Sequence, residues 1–331
     1  MKIAYWGNGS ASEQWRLEHP AKYLNQIDGF EMWKAEGGIT EEAARWADVY
    51  VLQGTVDIEG LVLLSAYQGE YGKKIVIEQD DRIEVEDSNP HKKQHDLSSA
   101  TAIIKKMMSF ADMVTTSTPK LASELKSYNQ NVVVLPNYLD LDFWDNKIKL
   151  VNTSDQIRIG WAGSITHIED IKLILPAAKR IQHEFPQVRF IFMGDPRISE
   201  HLEGLKAEVQ IGVKFPMYPD KLNSLRLDFA LAPLRNSKFN ECKSNIKFLE
   251  YAIHKIPGIY SPTVYNYSVQ DGKTGLIANT DEQWYLNMRN LIVSKNLRED
   301  IKSLAYSYVR SEFNLKNKIS KWVDAYSSLT K

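Results

Sequence analysis

The sequence predicts an α/β protein of two doubly wound, Rossmann-like domains that face one another. At 331 residues the chain is longer than a single domain usually is. Short apolar segments alternate with amphipathic segments of helical length, as in a parallel sheet covered on both faces. The alternation stops at residues 137–156, where polar and turn-forming residues accumulate, and then begins again. We therefore predict domains at 1–148 and 149–312, followed by a C-terminal helix at 313–331 that is free to pack back on the first domain.

The first half contains six short segments rich in β-branched and aromatic residues, which is typical of strands. Segments with helical periodicity lie between them. The predicted strands are 2–6, 30–34, 49–53, 74–79, 112–117 and 132–136, and the predicted helices are 12–26, 40–47, 60–72, 97–110 and 119–127.

The second half repeats this order. Ligands of such sheets bind at the carboxyl ends of the strands, so two facing sheets predict a cleft between the domains. The predicted strands are 157–163, 188–194, 209–214, 228–234 and 257–261, and the predicted helices are 168–184, 198–207, 244–254, 281–294, 298–312 and 314–331.

Composition narrows the class of protein. A net charge of −1 argues against a protein whose main task is to coat nucleic acid, because such binding depends on neutralising phosphates. The single Cys242 cannot form an internal disulfide, which fits a reducing compartment. The first residues lack the apolar stretch of a signal peptide, and no segment approaches the ~18 apolar residues of a spanning helix. We expect a soluble protein in the cytoplasm.

Polar loops follow several predicted strands. After the first strand, Gly7, Asn8 and Gly9 let the backbone approach a ligand closely, although a tight turn explains them equally well. After the fourth strand, Asp80 and Asp81 can accept a proton or orient substrate hydroxyls. The same two carboxylates can instead pair with Arg82 or cap a helix. The region beyond them contains two further candidates, His91 and His95.

The loop after the first strand of the second half precedes a predicted helix. Gly163 and Ser164 there can offer backbone amides to a phosphate, and His167 can donate to the same anion. A helix cap with a turn glycine accounts for Ser164 nearly as well. The loop is therefore a candidate anion site.

The segment FNECKSNIKFLEYA, residues 239–252, carries charges at helical spacing. Lys243, Lys247 and Glu250 fall on one stripe, and the stripe starts near the positive end of the predicted helix 244–254. Cations at that end oppose the helix dipole, whereas acidic residues would match it. This pattern indicates an anion opposite the lysines, with Glu250 placed to bond ribose hydroxyls.

Together these segments resemble the GT-B glycosyltransferases that use nucleotide sugars, most closely the family 4 group. The resemblance covers most of the chain and is most specific in the second half. It is carried by ADMVTTSTPKLASEL, NVVVLPNYLDLDFW, IRIGWAGS, RFIFMGD, DFALAPL, FNECKSNIKFLEYAIHKIPGIYS and VQDGKTGLIA. In that family the C-terminal half binds the nucleoside-diphosphate sugar and the N-terminal half binds the acceptor.

The resemblance assigns roles to residues at the family's motif positions. Glu250 matches the second glutamate of the E-x7-E motif, whereas the first falls on Cys242, with Glu241 one position away. A histidine usual after the fourth N-terminal strand is replaced by Asp80 or Asp81. The implied catalytic residues are Asp80, Asp81 and Lys243; the implied donor-binding residues are Gly163, Ser164, His167, Arg235, Asn240, Lys243, Ser244, Lys247 and Glu250; and the acceptor-side candidates are Gly7, Asn8, Gly9 and His91.

The resemblance also implies the chemistry. The family transfers a sugar from a nucleoside diphosphate to a hydroxyl with retention of anomeric configuration, and GT-B enzymes generally need no bound metal. The segment LDLD at 139–142 looks like a D-x-D metal motif, but it lies at the domain junction, so we expect no metal cofactor. A glycan, a lipid-linked glycan and a modified DNA base are the candidate acceptors.

Two other functions remain open from the sequence. A non-catalytic module with the same two domains can bind a nucleotide or a sugar as a sensor or partner subunit. A dinucleotide-dependent oxidoreductase is disfavoured, because the first loop lacks the complete G-x-G-x-x-G pattern and position 12 is Ser.

Overall fold

A computed structural model describes residues 1–38, 40–54, 56–84, 98–145 and 149–330. Within these ranges the chain forms two parallel sheets of six strands each. The first sheet consists of β1 (Lys2–Trp6), β2 (Glu31–Lys34), β3 (Val49–Gln53), β4 (Lys74–Gln79), β5 (Met113–Thr116) and β6 (Val132–Val134). Its strand order is β2-β1-β3-β4-β5-β6.

The second sheet has the same plan. It consists of β7 (Ile157–Ala162), β8 (Val188–Gly194), β9 (Ala207–Ile211), β10 (Phe229–Ala232), β11 (Gly258–Tyr260) and β12 (Leu276–Ile277), in the order β12-β11-β10-β7-β8-β9. The predicted α/β class with two Rossmann-like domains is confirmed. The domain boundary predicted at residues 148 and 149 stays a prediction, with β6 and β7 on either side of it.

Helices cover both faces of each sheet. In the first domain they are α1 (Ala11–Glu13), a π-helical turn (Gln14–Glu18), α2 (His19–Leu24), α3 (Glu41–Trp46), α4 (Ile58–Tyr71), α5 (Ser98–Phe110), α6 (Pro119–Leu125) and α7 (Leu141–Trp144). In the second they are α8 (Ile168–Ile171), α9 (Leu175–Glu184), α10 (Tyr218–Ser224), α11 (Lys238–Glu241), α12 (Ile246–Ile253), α13 (Pro262–Tyr265), α14 (Asp281–Val293) and α15 (Lys295–Glu312), with short 3-10 helices at Ile165–His167, Pro196–His201 and Phe215–Met217. The chain ends with α16 (Leu315–Lys318) and α17 (Ser320–Ser327).

Each sheet has a hydrophobic cluster on both of its faces. This is why β3, β5, β10 and β11 are buried along their whole length rather than at alternate residues. Side chains cross between the domains in both directions. Trp15 packs into a cluster of the second domain, and Cys242 packs into a cluster of the first.

The C-terminal segment packs back on the first domain, as predicted. Trp322 and Tyr326 share a cluster with Ile3 and Leu17. The predicted single helix 314–331 is wrong, however, because the segment forms α16 and α17. The side chain of Asn314 caps α16, and backbone hydrogen bonds join Leu139 to Phe313 and Leu315 on either side of that cap.

Two other predicted helices also differ from the structure. The helix predicted at 198–207 is only a 3-10 turn at Pro196–His201, and β9 already starts at Ala207. Ile198, Leu202 and Leu205 have helical spacing and are buried, but Gly204 adopts φ +74°, which ends any helix there. The helix predicted at 168–184 is divided into α8 and α9.

The sequence did not predict several short elements of the second domain. Helices α10, α11 and α13 and strand β12 were not among the predicted helices and strands. Strand β12 has only two residues, which is too short for a periodic pattern to appear.

Candidate functional site

A cavity of about 190 Å³ lies between the two domains, where the carboxyl ends of both sheets face each other. Asp80 and Asp81 reach it from the end of β4 in the first domain. The second domain contributes residues after β7 and β10 and the segment that precedes α12. Of the predicted site residues, the cavity is lined by Asp80, Asp81, His167, Lys243, Ser244 and Lys247.

Lys243 crosses the gap between the domains. Its ammonium lies 3.4 Å from the Asp81 carboxylate and 4.7 Å from the centre of the Phe239 ring. The Lys243 side chain is 18% exposed and that of Asp81 is 49% exposed. An ion pair with so much solvent around one partner contributes little energy. An anion entering the cavity can therefore displace Asp81 from Lys243 at small cost.

The position of Lys243 on its element corrects the sequence interpretation. Helix α12 starts at Ile246, so Lys243 lies in the turn before the helix rather than on its face. Only Lys247 and Glu250 share the helical stripe. Lys243 still precedes the amino end of α12, where the dipole favours negative charge.

Lys247 is paired within the protein. Its ammonium lies 2.6 Å from Glu250 Oε2, and the Tyr218 hydroxyl donates to the same oxygen at 2.8 Å. Burial and the Glu250 charge raise the pKa of Tyr218 well above its usual value, so Tyr218 keeps its proton. The sequence suggested two lysines facing an anion, but in the structure the charge of Lys247 is already balanced by Glu250.

Ser244 is held from the other domain by Asn137. The Asn137 amide nitrogen donates to Ser244 Oγ at 2.8 Å, and its amide oxygen accepts from Arg16 at 2.9 Å. Asn137 is buried and lines the cavity. Its role could not be predicted from the sequence, because Asn137 follows a proline at the predicted domain junction, where polar residues are expected for other reasons.

Asp170 organises a second group of predicted residues. Its buried carboxylate accepts from His167 Nδ1 at 2.7 Å, from the Arg235 backbone amide at 2.9 Å and from the Asn240 side chain at 2.8 Å. Asn240 Nδ2 also donates to the Arg235 carbonyl, so both of its donors are used inside the protein. Asn240 and Arg235 do not line the cavity. The signal that could have found Asp170 is its position three residues after His167.

His167 is fixed by this carboxylate. With Nδ1 bonded to Asp170, Nε2 is its remaining ring nitrogen. Burial lowers the pKa of His167, and the positive charges of Lys243 and Lys247 also lower it. The interaction with Asp170 raises the pKa but does not outweigh these effects. The imidazole is therefore neutral near pH 7. It can donate from Nε2 only after a bound anion has raised its pKa.

Gly163 and Ser164 lie beside the cavity without lining it. The Gly163 amide donates to the Met193 carbonyl at 3.0 Å, and Ser164 caps the 3-10 helix at Ile165–His167. A Cβ on Gly194 would come within 2.2 Å of the Gly163 carbonyl oxygen. Glycine is thus required at position 194 because the two strand-end loops approach this closely.

Asp80 has the properties of a proton acceptor. Burial raises its pKa to about 6, and the negative charges of Asp81 and Glu78 contribute to this increase. The positive charge of Arg16 lowers the pKa but only in part offsets them. Gln53 Nε2 lies 3.5 Å from Asp80 Oδ1. A carboxylate with this pKa is ionised at neutral pH but is more basic than an exposed aspartate.

Residues 156–293 match the family described as Glycosyl transferases group 1. The matched residues make up most of the second domain and less than half of the chain. No curated protein matches the sequence at a significant level. The match confirms the resemblance inferred from the sequence, and the family is one of sugar-transferring enzymes.

Solved structures agree at the level of the fold. HepE from Anabaena, solved with UDP and glucose, has a TM-score of 0.68 at 12% identity. The match covers 99% of this chain and 100% of the HepE chain. Sucrose-phosphate synthase from Thermosynechococcus elongatus has a TM-score of 0.63 at 10% identity. The match covers 100% of this chain and 99% of the synthase chain. TarM from S. aureus has a TM-score of 0.60 at 12% identity over 84% of this chain, which spans 54% of TarM. The GT-B fold is confirmed.

The first position of the family's E-x7-E motif does not reach the cavity. The Cys242 side chain is buried against the first domain, and burial raises the pKa of its thiol to about 12. Glu241 pairs with Lys120 of the first domain at 3.1 Å. Neither residue lines the cavity, so no carboxylate occupies the first motif position in this protein.

The loop of Gly7, Asn8 and Gly9 surrounds an internal carboxylate. The Gly9 amide donates to Glu13, and a Cβ on Gly7 would come within 2.5 Å of that side chain. The loop does not line the cavity between the domains. The tight-turn interpretation accounts for these glycines. The other acceptor-side candidate, His91, lies outside the described residues, as does His95.

The LDLD segment has a structural role in the described part of the protein. Asp140 is buried, accepts from the Tyr23 hydroxyl at 2.6 Å and pairs with Lys22 at 2.9 Å. It also caps α7. Among the described residues, no group of three acidic, histidine or cysteine side chains is arranged to hold a metal ion. Likewise, none of the helices in these ranges has the length and apolar character needed to cross a bilayer.

Proposed function

We propose that this protein transfers a sugar from a nucleoside-diphosphate sugar to a hydroxyl group of an acceptor, with retention of configuration. The observation that carries the proposal is the cavity between the domains, in which Lys243 and Ser244 lie opposite Asp80 and Asp81. UDP is the first nucleotide to test, because HepE and TarM were solved with it.

Departure of the diphosphate is the step that the C-terminal domain supports. The bond between the sugar C1 and the β-phosphate oxygen breaks, which leaves a negative charge on that oxygen. Lys243, the Ser244 hydroxyl and the amides at the start of α12 lie together on the side of the cavity where this charge forms. Such fixed donors lower the barrier because they need no reorganisation as charge develops.

The acceptor hydroxyl must lose its proton as it bonds to C1. Asp80 is the group we assign to this proton, because its raised pKa makes it more basic than an ordinary aspartate. Asp81 holds Lys243 in place until the diphosphate replaces it. New and broken bonds lie on the same face of the sugar in a retaining transfer, and no residue is assigned as a covalent nucleophile.

Glu250, one turn beyond the cavity-lining Lys247, is the proposed ribose ligand, although its carboxylate is buried and does not line the cavity of the free protein. Lys247 and Tyr218 both bond its Oε2, so the carboxylate is already oriented before a nucleotide enters. Preorganisation of this kind reduces the entropy lost on binding. Side chains and helix amides would balance the negative charge of the diphosphate, which fits a donor site that requires no metal ion. A cytoplasmic location remains part of the proposal.

The acceptor classes are separated by their charge. A modified DNA base brings a phosphate backbone, whose binding weakens steeply with added salt, whereas a neutral glycan is insensitive to salt. With a net charge of −1, the protein favours a glycan or lipid-linked glycan over DNA.

We expect UDP to raise the melting temperature of the protein by several degrees, and uridine to raise it much less. A ligand at ~100 times its Kd stabilises the folded state by about 2.7 kcal/mol, and the diphosphate is the part that Lys243 contacts. Thermal shift with UDP, GDP, ADP and uridine measures this. Equal shifts with UDP and uridine would contradict the diphosphate site. Binding of UDP-sugars without turnover of any would favour a non-catalytic module.

We expect kcat/KM for transfer to rise with pH through a midpoint near the Asp80 pKa of about 6. Ionised Asp80 is the active form, so activity is lost as pH falls and Asp80 becomes protonated. The variant Asp81→Asn removes a like charge and should move the midpoint to lower pH. Rate profiles of the wild type, Asp81→Asn and Asp80→Asn check this. A midpoint that stays near 6 in Asp80→Asn assigns the proton to another group.

A further inference from the structure

A second cavity, of about 460 Å³, opens next to the first. Leu234 and Tyr265 line the first cavity, and their near neighbours Asn236 and Asn266 line the second. The same two segments, after β10 and at the end of α13, therefore contribute to the lining of both cavities. Of the eight described residues that line the second cavity, Lys120 comes from the first domain and the other seven come from the second.

Tyr267 stands at this second cavity with its ring in solvent. Its side chain is 93% exposed, so it makes almost no contribution to the core. An exposed aromatic ring offers a flat apolar face with a hydroxyl at its edge. The apolar C–H face of a pyranose ring is the natural complement of such a surface.

Three asparagines surround the same space: Asn236, Asn266 and Asn279. All three are exposed, and each carboxamide carries two donors and one acceptor group for sugar hydroxyls. An aromatic face combined with several carboxamides matches the alternating apolar faces and hydroxyl edges of a carbohydrate.

The charge at this cavity is balanced. Lys120 and Glu241 lie 3.1 Å apart, and the remaining polar lining residues are neutral. A nucleic acid backbone requires unpaired cations, which this arrangement does not provide. The site therefore suits a neutral chain of sugars.

We propose that this second cavity binds the oligosaccharide portion of the acceptor, with Tyr267 stacking on one sugar ring and the three asparagines bonding the hydroxyls. The proposal rests on the proposed glycosyl transfer and narrows its acceptor class to an oligosaccharide whose chain runs out of the cleft. The acceptor hydroxyl lies at Asp80, and the next sugars of the chain lie over Tyr267.

Saturation-transfer NMR with soluble oligosaccharides tests the site without any donor. The probes are glucose, mannose and N-acetylglucosamine oligomers, from mono- to hexasaccharides, with the protein in its free form. We expect at least one series to bind from the trisaccharide upwards. Tyr267→Ala should weaken that binding about tenfold, because one aromatic contact contributes about that factor. Asn290→Ala, an exposed asparagine outside the cavity, should leave it unchanged.

Three outcomes would overturn the site. The first is that no oligomer binds, and the second is that wild type and Tyr267→Ala bind equally well. The third is that a short DNA duplex competes with the oligosaccharide at low salt and that this competition is lost when salt is added. The UDP thermal shift of Tyr267→Ala keeps this test separate from the proposed function. A variant that still responds to UDP but has lost oligosaccharide binding supports the acceptor site. Oligosaccharide binding by a wild type that does not respond to any nucleotide would count against the donor site alone.

Discussion

Replacement of Lys243 by alanine is expected to reduce kcat for sugar transfer by about 10²–10³-fold, the usual cost of removing one preorganised donor to a developing negative charge. Lys243 lies three residues before α12, and its ammonium has Asp81 as its counterion in the free protein. In the proposed mechanism a diphosphate replaces Asp81, and Lys243 is then the cation assigned to the forming charge. The measurement is the rate of transfer from the sugar nucleotide that gives the largest thermal shift.

Two control variants separate charge from structure. Lys243→Arg keeps the positive charge and should retain more activity than the alanine variant, although its planar head group will not restore it fully. Lys273→Ala removes an exposed lysine of the same domain that lines neither cavity, and should behave as wild type. An alanine variant at position 243 that folds, binds UDP as tightly as wild type and keeps its full rate would refute the assignment.

Replacement of Arg16 by methionine is expected to destabilise the first domain by about 3–5 kcal/mol, because it leaves the Glu78 carboxylate buried without a counterion. Arg16 and Glu78 are 1% and 2% exposed and are joined by two hydrogen bonds of 2.8 and 3.1 Å. Glu78 also accepts from the Thr115 hydroxyl at 2.6 Å, which does not replace the lost positive charge. Urea unfolding followed by circular dichroism measures the loss.

A surface pair provides the matched control. Arg45 and Glu41 are 66% and 61% exposed, and Arg45→Met should cost far less stability than Arg16→Met, because solvent screens an exposed pair. The double variant Arg16→Met with Glu78→Gln removes both buried charges and should recover part of the stability. Equal losses at positions 16 and 45 would show that the buried pair has no special weight. Because Arg16 also bonds Asn137, and Asn137 holds Ser244, the single variant should loosen the donor side of the cavity as well.

Much of the fold could be predicted from the sequence because the strands are continuous apolar segments. Strands β1, β3, β4 and β8 have the predicted bounds. Errors occur where periodicity is ambiguous. Ile198, Leu202 and Leu205 are spaced as in a helix and are buried. They lie, however, in a short 3-10 turn and the loop after it, where Gly204 has a positive φ. Helical spacing alone does not distinguish a helix from a compact loop with a buried side.

Part of the site could be predicted for a topological reason. Parallel strands bring their carboxyl ends to one edge, so residues after β4, β7 and β10 meet there although they are distant in sequence. This is why Asp80, His167 and Lys243 line one cavity. Asn240 and Arg235 follow β10 as well, yet they serve the buried carboxylate of Asp170 instead.

The sequence by itself determined the fold class, the cleft between two sheets and the residue types present at the strand ends. Tertiary structure alone decided which charges are free. The charge of Lys247 is neutralised by Glu250, and the Glu13 carboxylate accepts a hydrogen bond from the Gly9 amide. Lys243, in contrast, pairs with the half-exposed Asp81 of the other domain. Periodicity fixes the side of an element on which a residue lies, but a charge is available to a ligand only where the packed protein brings no strong, buried partner against it, and that depends on elements far apart in the chain.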